Sequence, residues 1–228
     1  MFITTDCQHK TVKTIVVLPK YGNKLKNSTL YKTVQTVSEG FYKEKGSKFL
    51  AFVVPCKTEY EAKGYLAAWR KEHHHACHVC YAFRFGSDMK KFRASDDGEP
   101  SNAAGPPILG QIQSFELTNV LVAVVRYYGG TNLGVGGLIH AYRTAAKEAL
   151  LNALIIEQED ARLFELLFTY EQLPVVMSTI KALQLIVTEQ QFELECRLVC
   201  EVPVSDTIAL NKLSGLENIQ LIQHGIKE

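Results

Sequence analysis

The chain has 228 residues, 46% hydrophobic and 21% charged, with a mean hydropathy of -0.03 and a formal net charge of +1. That balance excludes the disordered, fibrous and disulfide-scaffold classes, and the length predicts two domains of the usual roughly 100–150 residues rather than one. Neutrality argues against a polyanion partner only until it is split: residues 1–155 hold 20 Lys+Arg against 12 Asp+Glu and residues 156–228 hold 5 against 12, so a +8 part precedes a -7 part.

Residues 1–29 are polar and rich in lysine (Lys10, Lys13, Lys20, Lys24, Lys26) without sustained periodicity, and are read as an extension. Their short apolar run, Ile15 to Leu18 followed by Pro19, has lysines on both sides and no small-residue cleavage site, so it is not a secretory signal. The apolar stretches around 119–128 and 149–156 fall short of the roughly 20 residues that cross a bilayer. No membrane span or membrane partner is expected, and the address is cytoplasmic. The cysteines at 7, 56, 77, 80, 196 and 200 are expected as free thiols.

From Leu30 the pattern becomes regular. Tyr31 to Val37 and Phe49 to Pro55 are strand-like runs separated by the turn KEKGSK at 43–48, which predicts a hairpin. Thr58 and Glu61 have capping-box spacing, and Ala62, Tyr65, Leu66 and Trp69 recur at helical intervals behind them. CHVCYAFRFG at 77–86 is a strand candidate with a short partner at 91–94. Alternation along it puts His78, Cys80 and Ala82 on one face and separates Cys77 from Cys80, which weakens a zinc reading of the CxxC spacing. His78 and Cys80 read as a base and nucleophile pair or as the polar floor of a cleft.

SDDGEPSNAAG at 95–105 is a turn-rich loop that crowds Asp96, Asp97 and Glu99 into four residues. Such a group can bind a hard cation, act as acid and base, pair with arginines, or bond its own backbone. A helix opens at Pro106 and Pro107, and VLVAVVRYY at 120–128 reads as a strand covered on both faces. The glycine-rich GGTNLGVGG at 129–137 leads into a helix whose buried stripe includes Leu138, Tyr142, Ala145 and Ala149. Bare N–H groups at that helix start favour phosphate or carboxylate. The loop matches neither a Walker pattern nor GxGxxG, so ATP and NAD are not supported. His140, Arg143 and Lys147 share the opposite helix face, either as a solvated surface or as phosphate contacts.

After residue 161 the predicted order is β-α-β-β-α-β, the ferredoxin-like arrangement, with Leu194, Cys196, Leu198, Cys200 and Val202 alternating inward along its third strand. The fold class is therefore α+β. Residues 30–157 form a sheet-and-helix domain after the extension, and residues 158–228 form a ferredoxin-like domain.

The motifs KGSKF at 45–49, ACHVCYA at 76–82, SDDGEPSNAAG at 95–105 and VRYYGGTNLGVGG at 125–137 stand in this order, and with them the sequence resembles the YigZ/IMPACT family. The resemblance implies a first domain similar to the second domain of a small-subunit ribosomal protein, a sheet with two helices. It implies a second domain similar to the last domain of elongation factor G. Eukaryotic members regulate translation, binding their partner through an extra domain that has no counterpart here, so that mechanism is not expected to carry over. The expected function is translation-associated regulation, with RNA or a ribosome-associated assembly held by the basic domain. The acidic domain is left to contact a protein partner or to fold against the basic one. The candidate cleft comprises His78, Cys80, Asp96, Asp97, Glu99, Ser101, Arg126, Tyr127, Gly129, Gly130, Gly134, Gly136, Gly137, Arg143 and Lys147. No catalytic residue, metal ligand or cofactor is assigned. The rival reading is a hydrolase, peptidase-like or metal-dependent, using the carboxylates or the His/Cys pair.

Overall fold

The computed structural model describes residues 30–226. The expected extension, with Cys7 and its five lysines, lies outside the described residues. Two compact units divide the described chain, residues 30–158 and residues 159–226.

The first unit contains β1 (Leu30–Val34), β2 (Ser38–Glu44), β3 (Ser47–Pro55), α1 (Glu59–Glu72), β4 (His78–Phe85), β5 (Lys91–Ser95), α2 (Gly105–Ser114), β6 (Val120–Tyr127), α3 (Gly134–Leu151) and β7 (Ile155–Glu159). Its main sheet is antiparallel, in the order β2-β3-β6-β4-β5. β6 lies at the centre, and its unbroken apolar run serves both faces. Val120, Val122 and Val124 pack under α2 and α3, while Leu121, Ala123 and Val125 pack under α1. The expected two helices on the sheet are thus α2 and α3, and α1 covers the opposite face. Thr58 caps α1 through the Glu61 N–H at 3.2 Å; the reciprocal bond of the Glu61 carboxylate goes to the Lys57 N–H, one residue earlier than a capping box requires.

The hairpin is not the one expected. β1 pairs with β7 in a separate two-stranded sheet, and the partner of β3 is β2. The reason is the turn, which takes only two residues, Lys45 (φ 44°) and Gly46 (φ 83°), the left-handed pair that matches strand twist. A six-residue turn at 43–48 therefore gives way to strand on both sides.

The second unit runs β8 (Ala161–Thr169), α4 (Leu173–Ala182), β9 (Ile186–Phe192), β10 (Glu195–Pro203), α5 (Thr207–Ser214) and β11 (Gln220–Ile226). Its antiparallel sheet has the order β11-β8-β10-β9, which is the ferredoxin-like arrangement. Val176 and Ile180 of α4 and Ala209 and Leu213 of α5 close one face over Phe164, Leu166, Cys196, Leu198 and Cys200. Burial pushes the Cys200 thiol up to about 12, as befits a core residue. Leu194, expected in the inward row, is instead 95% exposed in the β9–β10 turn, because β10 starts one residue later. Among the described residues, no helix is long and apolar enough to cross a membrane, and all the cysteines are free thiols.

Candidate functional site

Antiparallel pairing brings four of the sequence motifs to one end of the five-stranded sheet. β3 and β4 begin there and β6 ends there, with Lys48 opposite Tyr127 and His78 opposite Arg126. β5 delivers the 95–105 loop to the same end, since Ser95 pairs with Tyr81.

The three carboxylates of that loop go to different partners. Asp96 turns back on the backbone: Oδ1 accepts from the N–H groups of Ala104 (2.9 Å) and Gly105 (2.8 Å), and Oδ2 accepts from that of Asn102 (2.8 Å). It caps the start of α2, whose own flanking residue, Ala104, has no side chain to do so. Asp97 (φ 45°) accepts from the Val79 N–H at 2.7 Å and pairs with Arg70 of α1 at 2.5 Å. Glu99 is buried, and its Oε1 accepts from Arg126 Nη1 at 2.6 Å and from the Tyr142 hydroxyl at 2.7 Å. Backbone bonding and arginine pairing, two of the alternatives the sequence leaves open, are both present. Among the described residues, no group of three or more His, Cys, Asp or Glu side chains is placed to hold a metal ion.

His78 and Cys80 share the face of the sheet that alternation assigns to them, but they do not form a nucleophile and base pair. The Cys80 thiol donates to the Asp96 carbonyl at 2.9 Å and lies 3.4 Å from the Tyr142 hydroxyl. Burial pushes its pKa up, which keeps it a thiol. His78 Nδ1 lies 2.8 Å from the Asp97 carbonyl oxygen, and its Nε2 lies 4.0 Å from Glu99 Oε1. Burial likewise raises the pKa of Tyr142, so its phenol remains a donor. The Arg126 guanidinium stacks 5.6 Å from the ring centres of both Phe49 and the exposed Tyr128, and its buried Nε has no hydrogen-bond partner among the described residues.

The glycine-rich loop meets the β2–β3 turn. A Cβ on Gly129 would stand 2.0 Å from the Gly46 carbonyl carbon and 2.1 Å from the Ser47 nitrogen, so only glycine allows this approach. The Gly129 N–H donates to Ser47 Oγ at 3.1 Å. Gly130 and Gly134 have positive φ, and a Cβ on Gly130, Gly134 or Gly136 would meet open space; one on Gly137 would meet Leu133 at 3.1 Å. No side chain caps the start of α3. Beside this loop the hairpin carries Lys43, Lys45 and Lys48, all exposed.

Some candidates fall elsewhere. Tyr127 faces the α1 side of the sheet, one position out of phase with Arg126, where its hydroxyl lies 3.0 Å from His73 Nδ1. Ser101 is exposed on the loop. Arg143 lines a groove between α2 and α3 with Asn102, Pro107 and Ile139, and Lys147 is exposed one turn further on. Residues outside the candidate set also contribute. Tyr142 reads in the sequence as part of an apolar stripe, although a tyrosine among buried alanines has a hydroxyl that needs a partner. Arg70 and the three hairpin lysines read there only as helix surface and turn.

The Impact N-terminal domain family model matches residues 45–150, which include these motifs. An IMPACT family member of Haemophilus influenzae is 33% identical over 191 residues, covering 79% of this chain and 91% of the relative. IMPACT family member YvyE of Bacillus subtilis is 29% identical over 182 residues, covering 80% and 84%. A crystal structure of a hypothetical protein superposes with a TM-score of 0.69 at 26% identity, over 85% of this chain and 97% of that one.

Proposed function

The chain belongs to the IMPACT family, and from that premise we propose that it is a cytoplasmic, translation-associated regulatory protein whose first unit binds RNA or a ribonucleoprotein assembly. The resemblance to a family with translation-regulating members supports the biological setting. The supporting observation for RNA is the Gly46–Gly129 approach, which brings the hairpin turn that carries Lys45 against the glycine-rich loop leading into the uncapped start of α3. Phosphate is the ligand that lysine side chains and bare helix N–H groups accept together.

Placement matters more than total charge. Residues 30–158 hold 15 Lys+Arg against 12 Asp+Glu, a slight excess, because half of the +8 counted above resides in residues 1–29. The carboxylates near the site are neutralised by Arg126 and Arg70 or spent on backbone N–H groups. The second unit, poor in cations, is left for a protein partner.

The reading is tested by titrating the full chain with a fluorescein-labelled structured RNA across a salt series. Affinity should fall steeply with salt, and replacing Lys45 by alanine should reduce the log–log slope by about 1, close to one unit for the phosphate that is no longer neutralised. A flat salt response, or no binding at low salt, rejects it.

A further inference from the structure

We propose that the exposed ring of Tyr128 is a stacking platform for an unpaired base, an inference that rests on the RNA-binding reading above and names the part of the RNA that this site takes. Tyr128 follows β6 directly, and its ring is fixed at two points. The Arg126 guanidinium, which also stands 5.6 Å from the ring centre of Phe49, lies 5.6 Å from that of Tyr128. The Tyr128 hydroxyl donates to Asn132 Oδ1 at 3.2 Å. Arg126 is itself held in place, being 6% exposed and paired with the buried Glu99.

The guanidinium backs only one side of the ring. Tyr128 is 47% exposed, and among the described residues no aromatic ring packs against it. Because the plane of the ring is already set, stacking a flat group on it orders little that was free. Its neighbours in the chain are the two groups to which phosphate is assigned. Asn132, at the edge of the ring, stands two residues before Gly134, where α3 begins without a side-chain cap. On the other side Gly129 lies against Gly46, the residue after Lys45, so the Cα atoms of Lys45 and Tyr128 are no more than about 12 Å apart.

These surroundings decide what the ring takes. A base stacked on Tyr128 places its own sugar and phosphates between Lys45 and the start of α3, the arrangement of aromatic face and basic track that binds single strands. The base is uncharged, so the Glu99–Arg126 pair behind the ring does not oppose it, whereas an anion finds the Arg126 charge already neutralised. Inside a duplex both faces of each base are stacked on their neighbours. The ring therefore selects a loop, bulge or strand end, whose bases can be splayed out.

The test places 2-aminopurine, whose fluorescence is quenched by stacking, at successive positions in the flexible loop of an RNA hairpin, which is titrated with the full chain at low salt. At least one position should be quenched by wild type and by Tyr128→Phe, which keeps the ring, but not by Tyr128→Leu. A fluorescein-labelled hairpin should also bind wild type about five- to hundredfold more tightly than a fully paired duplex with the same number of phosphates, the range expected for one base stacked on one aromatic side chain. Tyr128→Leu should bring the two affinities together. Quenching at no loop position, or a hairpin preference that survives in Tyr128→Leu, overturns the proposal while RNA binding stands; absence of RNA binding at low salt overturns both readings. Wild type alone can overturn it, and Tyr128→Gln, a polar replacement at an exposed position, is read in the same way if the leucine variant does not fold.

Discussion

Glu99 is almost fully shielded from water, and what replaces the solvent is one cation and one phenol. A buried carboxylate–guanidinium pair is costly to break because the surviving charge has no solvent to turn to. Glu99→Ala, which strands Arg126, should therefore destabilise the first unit by about 3–5 kcal/mol. Tyr142→Phe removes one donor to a charged acceptor and should cost about 1.5–3 kcal/mol. Asp97→Asn touches a partly exposed pair and should cost no more than about 1 kcal/mol. Urea unfolding followed through the single tryptophan, Trp69 of α1, gives the ranking, and equal losses for the three variants would show that burial does not set it. That His78 and Cys80 lie on one face is legible in the sequence, since a two-residue period needs only the strand. Their association with Tyr142 is not, because the helix that carries it reaches the site through packing between elements 62 residues apart.

At the scale of elements, the site depends on two loops approaching each other more closely than side chains allow. Gly129→Ala would force the loop and the hairpin turn apart, at a cost of about 1–3 kcal/mol, and should weaken RNA binding as the turn that carries Lys45 leaves the glycine-rich loop. Gly136→Ala is the contrasting case. Its Cβ enters open space in the first turn of α3, so the free protein should gain about 0.5–1 kcal/mol from lower unfolded-state entropy. If RNA docks against that turn, the same methyl stands between backbone and phosphate, and stability and affinity should move in opposite directions. Thermal unfolding and RNA titration of the two variants separate these effects; unchanged affinity in both would remove the loop from the interface. The helices are legible from apolar periodicity, and the buried β6 from its continuous apolar run. The true hairpin is not, because Lys45 adopts a left-handed conformation that its residue type does not announce, and because β1 finds its partner, β7, more than 100 residues away.

The two units of the molecule rely on charge in different ways, and acid should reveal it. In the second unit the outward face of the sheet carries Glu165, hydrogen-bonded to Arg197, with His224 Nε2 2.9 Å from its other oxygen, and Arg197 also reaches Glu189 at 2.6 Å. Burial alone would push the Glu165 carboxyl up, but the bonds from Arg197 and His224 outweigh it and hold the carboxyl below the ordinary range. A carboxyl whose pKa is lower folded than unfolded contributes stability that is fully present above the unfolded value of about 4.3 and is lost as pH falls through the folded one. Acidification from pH 6 to pH 3 should therefore weaken the second unit, and Glu165→Gln should abolish that part of the loss by removing the titrating group. Two probes distinguish the units in the intact chain. Trp69 fluorescence follows only the first, since no tryptophan lies in residues 159–226, whereas far-ultraviolet circular dichroism follows both. As pH falls, the dichroism transition should broaden toward lower temperature ahead of the fluorescence transition, and in Glu165→Gln the interval between them should depend less on pH. An interval with the same pH dependence in wild type and variant would mean that Glu165 is not the group whose protonation loosens the second unit.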